Sequence, residues 1–299
     1  MSVDIKEFVN QVENYLWPSE QEYQAQAADF TVLLPVYIRD DLENFIIAIK
    51  SIFKNTVKPS EILIMEDGPV ADRMADFLAF LTKKYPNVAH CVANPKNHGL
   101  GYTAARGILL AKFEIIARVD ADDISTARRF EEELKRFRDN LQLDIVGSNV
   151  AEFNEDYEIQ SYRNVPSQAS DICQFSKMRS PFNHPSVMYR KQAVIDAGNY
   201  ADIQHFEDYD LFVRMLEQGQ IAENIADNLV LMRAPSSMYQ RRGGQDYVQR
   251  YIAFRKGLLK KGYISQKEYQ ISILGSLLTS YSPVFVRKIR YHLFLRENK

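Results

Sequence analysis

Residues 31–69 read TVLLPVYIRDDLENFIIAIKSIFKNTVKPSEILIMEDGP, and this stretch decides the fold class. Thr31–Ile38 is apolar and rich in β-branched residues, the pattern of a buried strand. Leu42, Phe45, Ile46, Ile49 and Phe53 then recur at helical spacing and form one apolar stripe. Glu61–Met65 reads as a second strand, and Glu66-Asp67-Gly68-Pro69 as the turn that ends it. Strand, helix and strand in so short a span make a βαβ unit, whose two strands lie parallel.

The rhythm continues outward. A helix over about Ala71–Tyr85, a strand at Val88–Ala93, a helix at Gly101–Lys112 and a strand at Glu114–Val119 follow in order. Asp144–Val150 and Ser186–Tyr189 read as later strands of the same sheet. The expected fold is α/β, with a mostly parallel central sheet flanked by helices. Residues 1–30 read as an N-terminal helix (Ile5, Phe8, Val9, Val12) and a polar linker. Residues 31–235 form the α/β domain, and 236–299 a helical, basic extension.

Composition narrows the classes. Of 299 residues, 46% are hydrophobic and 25% charged, which excludes disordered, collagen-like and low-complexity chains. Cys91 and Cys173 stand far apart, so neither a disulfide framework nor a zinc ribbon is expected, and a reducing cytoplasmic setting fits. Charge is unevenly placed: residues 241–299 carry 13 Lys and Arg against 3 Asp and Glu, whereas 1–240 carry 24 against 36. A basic tail on an acidic body points to an anionic surface or ligand at one end, or to a solvated helical tail. The first residues lack the layout of a signal peptide. The longest uncharged run, Tyr269–Val286, is too polar to be a spanning helix.

In open α/β sheets ligands bind beyond the carboxyl ends of the strands. The segments just after the strands here are Arg39-Asp40-Asp41, Glu66-Asp67-Gly68, Asn94–Gly101 and Asp120-Ala121-Asp122-Asp123. Three of the four are acidic. Asp120, Asp122 and Asp123 place three carboxylates within four residues. Such a cluster asks for a cation, and Mg²⁺ or Mn²⁺ suits one or two carboxylates plus substrate phosphates. The plainer reading is helix capping by Asp123 or Ser125. Asp67 has a plainer reading as an Asx turn before Gly68. Glu207-Asp208 opens another helical pattern, where acids also suit the helix dipole. His184 in Asn183-His184-Pro185 reads as a metal, diphosphate or acceptor contact, or as a structural histidine. Arg241-Arg242-Gly243-Gly244 reads as a basic lid over a diphosphate or as a solvated turn.

Five stretches, the one quoted above with NHGLGYTAARG, RVDADD, NHPSVMYRK and FEDYDLFVRM, run in an order that resembles family 2 glycosyltransferases of the GT-A fold. They cover about two thirds of the chain, and the resemblance is closest to bacterial enzymes that build O-antigen and capsule repeat units. It implies an inverting, metal-dependent transfer of a hexose or N-acetylhexosamine from a UDP-sugar to a saccharide acceptor on undecaprenyl diphosphate. It implies that Pro35, Val36, Tyr37 and Asp67 hold the nucleotide base, with Asp67 accepting the N3–H of uracil. Asp120, Ala121 and Asp122 correspond to the family's DxD element; the first acid contacts ribose and the last holds Mn²⁺ or Mg²⁺, with His184 as a further candidate ligand. Asp208 corresponds to the general base, with Glu207 as its rival, because an inverting transfer needs one base and no nucleophile. Ala104 and Ala105 stand where many members of the family this chain resembles carry an Arg-Asn or Leu-Asn pair, so Lys96 or Arg106 is expected to supply that nucleotide contact, with Arg241 and Arg242 closing over the diphosphate.

Rival classes fit less well. A sugar-nucleotide pyrophosphorylase needs a glycine-rich loop after the first strand, and Pro35–Arg39 has no glycine. A non-catalytic sugar-nucleotide-binding module has no need of both acidic motifs. Nucleic acid is not an expected partner. The protein is expected in the cytoplasm, peripheral on the inner face of the cytoplasmic membrane. Tail residues Phe285, Ile289 and Leu293 share a helical face flanked by Arg287, Lys288 and Arg290, the layout of an interfacial helix or of a helix whose apolar face packs on the catalytic domain.

Overall fold

The computed structural model describes residues 5–234 and 244–280. The tail from 281 onward and Arg241 and Arg242 lie outside the described residues. Two helices, α1 (Ile5–Glu13) and α2 (Glu20–Gln24), precede the first strand, β1 (Ala27–Val36). The apolar face of α1, Ile5, Val9 and Val12, packs on Ile47, Ile124 and Leu231 of the body. A capping box starts α2: Ser19 Oγ accepts from the Glu22 amide and Glu22 from the Ser19 amide. Tyr23 of this helix is fully buried against Phe53 and Tyr85. The segment read as a polar linker is thus a packed brace, and β1 begins four residues before the apolar run because Ala27 and Ala28 pair with Lys58 and Pro59.

The βαβ reading holds in register. After β1 come α3 (Leu42–Phe53), β2 (Lys58–Glu66), α4 (Asp72–Lys84), β3 (Ala89–Ala93), α5 (Leu100–Leu110) and β4 (Ile115–Arg118). These four strands lie parallel in the order β3-β2-β1-β4. Phe30 to Val36 are all buried, since helices cover both faces of β1. The one hydroxyl there is satisfied: Thr31 Oγ1 donates to Glu61 Oε2 at 2.6 Å, and Glu61 also accepts from the Lys112 amide at 2.7 Å.

Beyond β4 the sheet becomes mixed. The remaining elements are β5 (Ile124–Ser125), α6 (Arg129–Asp139), β6 (Leu143–Phe153), β7 (Ile159–Arg163), α7 (Ala169–Ser176), a 3₁₀ turn at His184–Ser186, β8 (Met188–Arg190), α8 (Lys191–Asp196), α9 (Glu207–Glu217) and β9 (Ile221–Arg233). The full order is β3-β2-β1-β4-β8-β6-β9-β5, with β7 pairing β6 at the side. β8 runs antiparallel to both β4 and β6, while β6 and β9 are parallel. A parallel core joined to an antiparallel flank leaves the ends of β1, β2 and β4 on one rim, with the His184 turn at the start of β8 beside them. Two helices, α10 (Gln245–Lys260) and α11 (Gln266–Ser280), follow β9 and pack on α9 through Phe206, Tyr209, Val213, Phe254, Leu258 and Ile264.

Candidate active site

The ends of β1 and β2 form one wall. Val36 accepts the Asp67 amide at 2.8 Å, and Glu66 accepts the Asn94 amide at 2.8 Å, so the three loops leave the sheet locked together. Asp67 is buried, and its two carboxylate oxygens accept the amides of His98 (2.8 Å) and Gly99 (3.0 Å). It organises the loop Asn94–Gly99 rather than a local Asx turn. A carboxylate has roughly four acceptor sites, which leaves capacity for an N–H from a ligand. Gly68 makes this possible: its φ is +85°, and a Cβ there would sit 2.6 Å from the Asn97 nitrogen. Arg106 does not reach out as a free cation. Its Nη1 donates to Ala93 O (2.8 Å) and Asn94 Oδ1 (2.7 Å), bracing the same loop, while Lys96 is exposed beside it. His98 and Tyr102 stack at 4.3 Å on the outer side of this loop.

The acids of the β1 and β4 loops divide by role. Asp41 caps α3, accepting the Asn44 amide at 3.0 Å. Asp40 instead folds back onto the Tyr37 amide at 2.9 Å, and burial pushes its carboxyl up to about 7, with Asp122 and Asp120 adding to the rise. At the end of β4, Arg118 is buried; its Nη2 donates to Asp120 Oδ1 at 2.6 Å and its Nη1 to Val119 O. Despite burial, that guanidinium holds Asp120 below the usual carboxylate range, with His184 adding to the effect. Ala121 turns into the apolar core, so the acids on either side of it face the rim. Asp123 caps no helix: α6 begins at Arg129 without a side-chain cap, and Asp123 Oδ1 accepts the Arg233 amide at 2.8 Å. Its Oδ2 is buried with no hydrogen-bond partner, and burial with the charges of Asp122 and Asp120 pushes its carboxyl well up. Below them the buried Arg129 donates to Arg118 O (2.7 Å) and Ser125 Oγ (3.2 Å), tying the two ends of the acidic turn.

The opposite wall is the first turn of α9. Gly101, at the start of α5, admits it closely: a Cβ on Gly101 would lie 3.2 Å from Glu207 Cβ and 2.7 Å from Ala201 O. His205, just before the helix, takes a left-handed φ of 74°, a strained turn of the kind found at functional sites. Burial and the neighbouring Asp208 push the Glu207 carboxyl up to about 7, although backbone amides and Arg118 oppose this. Glu207 Oε2 is buried without a hydrogen bond. Asp208 Oδ1 accepts the Tyr209 amide at 2.8 Å. Between the walls lies His184, whose Nε2 is 2.8 Å from the Tyr200 hydroxyl. Burial, then Arg118, lowers its pKa to about 4, which keeps the imidazole neutral at neutral pH. The structure thus gathers Asp40, Asp120, Glu207 and His184 within electrostatic reach of one buried guanidinium, with Asp122 near Asp40 and Asp208 near Glu207 and His184. Arg118, Asp40, Tyr200 and Arg233 carry no assigned role in the sequence reading; for Arg118 the available signal was an arginine ending the otherwise apolar strand Ile115–Arg118.

This donor set fits a hard divalent cation held by few protein groups. The cluster is rich in carboxylate oxygen, and Asp123 presents an unsatisfied buried one. Among the described residues no three His, Cys, Asp or Glu side chains converge as a ready-made cage. An ion completed by phosphate oxygens needs no such cage.

The carboxyl ends of β2 and β4 in the parallel β3-β2-β1-β4 sheet thus carry Asp67 and the Asp120-Ala121-Asp122 turn, and the first turn of α9 brings Glu207 within electrostatic reach of the Arg118 that holds Asp120. The model of glycosyl transferase family 2 matches residues 31–202, and the chain belongs to that family. It is 31% identical to the amylovoran biosynthesis glycosyltransferase AmsE of Erwinia amylovora, over 88% of this chain and 97% of that protein. It is 32% identical to the UDP-Gal:alpha-D-GlcNAc-diphosphoundecaprenol beta-1,3-galactosyltransferase of Escherichia coli, over 89% of this chain and 96% of that one. Among solved structures, the Pyrobaculum calidifontis mannosyltransferase PcManGT, in complex with GDP-Man and Mn2+, superposes with a TM-score of 0.58 at 13% identity, covering 92% of this chain and 76% of that chain. S. aureus TarS 1-349 in complex with UDP-GlcNAc gives 0.55 at 14% identity, covering 87% and 69%; of the longer TarS structure this chain spans 46%. The expected α/β GT-A fold is thereby borne out.

Proposed function

We propose that this glycosyltransferase moves a hexose or N-acetylhexosamine, with inversion, from a UDP-sugar to a saccharide carried on undecaprenyl diphosphate, in the assembly of a surface polysaccharide. One observation carries the reading: the buried Arg118, which holds Asp120 of the Asp120-Ala121-Asp122 turn at 2.6 Å, also acts on the Glu207 carboxyl next to Asp208, so the two acidic motifs share one counter-charge. The printed names of the two relatives support the polysaccharide setting, the UDP donor and the lipid-diphosphate acceptor.

The uracil lies against Pro35, Val36 and Tyr37, with its N3–H on Asp67. Asp120 and Asp122, with His184 as a neutral imidazole, would hold Mn²⁺ or Mg²⁺. The ion neutralises the leaving diphosphate when bound. Asp208 takes the proton from the acceptor hydroxyl as that oxygen attacks C1. Glu207 lies beside it, and its ionisation adds a negative charge near the sugar carbon. Arg118 fixes the rotamer of Asp120 and keeps the crowded acids compatible with folding. Arg241 and Arg242 are assigned to the diphosphate from the sequence alone.

The test is transfer from radiolabelled UDP-sugars to a synthetic lipid-diphosphate saccharide, with and without EDTA. Metal-dependent product of inverted anomeric configuration is expected, and Asp122→Ala should abolish it and weaken UDP binding. Full activity in EDTA, or a product retaining the donor's α configuration, overturns the reading.

A further inference from the structure

We infer that the C-terminal helical pair positions the catalytic acids, through a clamp from Arg255 of α10 to Tyr209 of α9. The inference rests on the reading of Asp208 as the base. Arg255 is fully buried, and each of its nitrogen positions is used: Nε donates to Ser272 Oγ of α11 at 3.0 Å, Nη1 to the Tyr209 hydroxyl at 3.1 Å and Nη2 to Lys177 O at 2.6 Å. The Tyr209 hydroxyl in turn donates to Ser176 O at 2.5 Å, at the end of α7. Ser176 Oγ bonds the hydroxyl of Tyr263, in the turn between α10 and α11. Four elements therefore meet at one guanidinium and one phenol.

The chemistry of the clamp is unusual for a packing contact. Those acceptors are neutral oxygens, so the charge is buried without a hydrogen-bonded carboxylate. An apolar side chain would fill such a site at lower desolvation cost, and a buried charge of this kind serves geometry rather than stability. The geometry it sets is that of the residue next to Asp208. The Tyr209 amide donates to Asp208 Oδ1 at 2.8 Å, so displacement of Tyr209 moves the carboxylate directly. Around the polar pair the contact is aromatic: Phe206, which precedes Glu207, stacks on Phe254 at 5.3 Å with rings 6° apart, and Tyr209 meets Phe254 at 5.0 Å. A second anchor on α9 starts from Arg214, which donates to Asp210 in the first turn (2.8 Å) and to Asn199 O (2.7 Å). Arg255 thus holds the catalytic end of the helix from the side of the C-terminal pair, and Arg214 ties that same end to the loop before it. Arg255 and Tyr209 are positioning residues; neither is assigned a contact with substrate.

Tyr209→Phe keeps the ring packing and removes both hydroxyl bonds, and Arg255→Met and Arg255→Lys change the other partner. Each full-length variant is assayed for kcat, for UDP affinity and binding stoichiometry by calorimetry, and for its thermal midpoint, beside Asp208→Asn. Tyr209→Phe should lower kcat about 10- to 100-fold, the scale of a sub-ångström to ångström misplacement. UDP affinity should stay within about twofold of the parent value. Arg255→Lys should recover part of the loss seen in Arg255→Met, and the double variant should lose less than the product of the two losses because both act through one contact. Should Arg255→Met fail to fold, Tyr209→Phe decides. An inactive Asp208→Asn beside a Tyr209→Phe with parental kcat overturns the clamp. An active Asp208→Asn overturns the assignment of the base and the inference with it.

Discussion

At the scale of single residues, Asp40, Asp120, Asp122, Asp123, Glu207 and Asp208 crowd a rim in which Arg118 is a buried counter-charge, with the buried Arg129 adding to its effect on Asp120. The consequence is sharpest at Glu207. Its carboxyl is raised to about 7 by burial and by Asp208, so it is largely neutral below that pH and charged above it. Ionisation places a second negative charge beside Asp208 and favours positive charge developing at the sugar carbon. The kcat/KM of the parent enzyme should therefore rise with pH through about 7. Glu207→Gln should flatten that rise while keeping measurable turnover, whereas Asp208→Asn should lose about 10²–10⁴-fold at every pH, the usual scale of general-base catalysis. A dead Glu207→Gln beside an active Asp208→Asn would reverse the two roles.

At the scale of elements, the short connections matter more than the strands they join. Gly68 is the test case. A methyl group there meets the backbone of Lys96 and Asn97, and the positive φ is itself unfavourable for alanine. Gly68→Ala should cost roughly 1–3 kcal/mol of local stability and release the loop that Asp67 holds through His98 and Gly99. UDP affinity should drop in calorimetry, with the thermal midpoint changed far less than after a substitution in β1. An unchanged UDP affinity would show that this loop does not form the base pocket. The sequence carries the parallel core legibly, because strands buried on both faces read as unbroken apolar runs. It does not carry the roles within the acidic loops. Asp40, Asp41 and Asp123 look alike as letters, yet one folds onto its own turn, one caps α3 and one accepts an amide from β9, 110 residues away. α2 escaped for a related reason: its five residues are polar on the outside, and only the tertiary partners of Tyr23 show that it is packed. Arg106 could not be read as a brace before the loop it supports was in view.

At the scale of the whole molecule, the proposed lipid-linked acceptor would bring the rim close to a membrane. No helix among the described residues is long and apolar enough to cross one. The described surface nevertheless offers an apolar stripe on α11, where Ile271, Leu274 and Leu278 are each about half exposed at i, i+3 and i+7. The sequence immediately beyond α11 is the basic, amphipathic stretch with Arg287, Lys288, Arg290, Arg296 and Lys299 against Glu297 alone. Apolar stripe and cationic tail follow one another along the chain, the two components of reversible interfacial binding. Each cation near an anionic leaflet contributes roughly 1 kcal/mol, so five suffice for binding that salt can reverse. Co-sedimentation with liposomes should therefore require anionic lipid and weaken as ionic strength rises, since exposed charges are screened over about 8–10 Å at physiological salt. A chain ending at Ser280 should lose most of this binding, and Leu274→Glu should weaken it further. Both should still turn over a soluble acceptor analogue, because the clamp on α9 is made by Arg255 and Ser272, upstream of the cut. Loss of turnover on the soluble analogue together with a lowered thermal midpoint would instead assign the tail to the folded core, and binding to neutral liposomes at high salt would remove the electrostatic part of the argument.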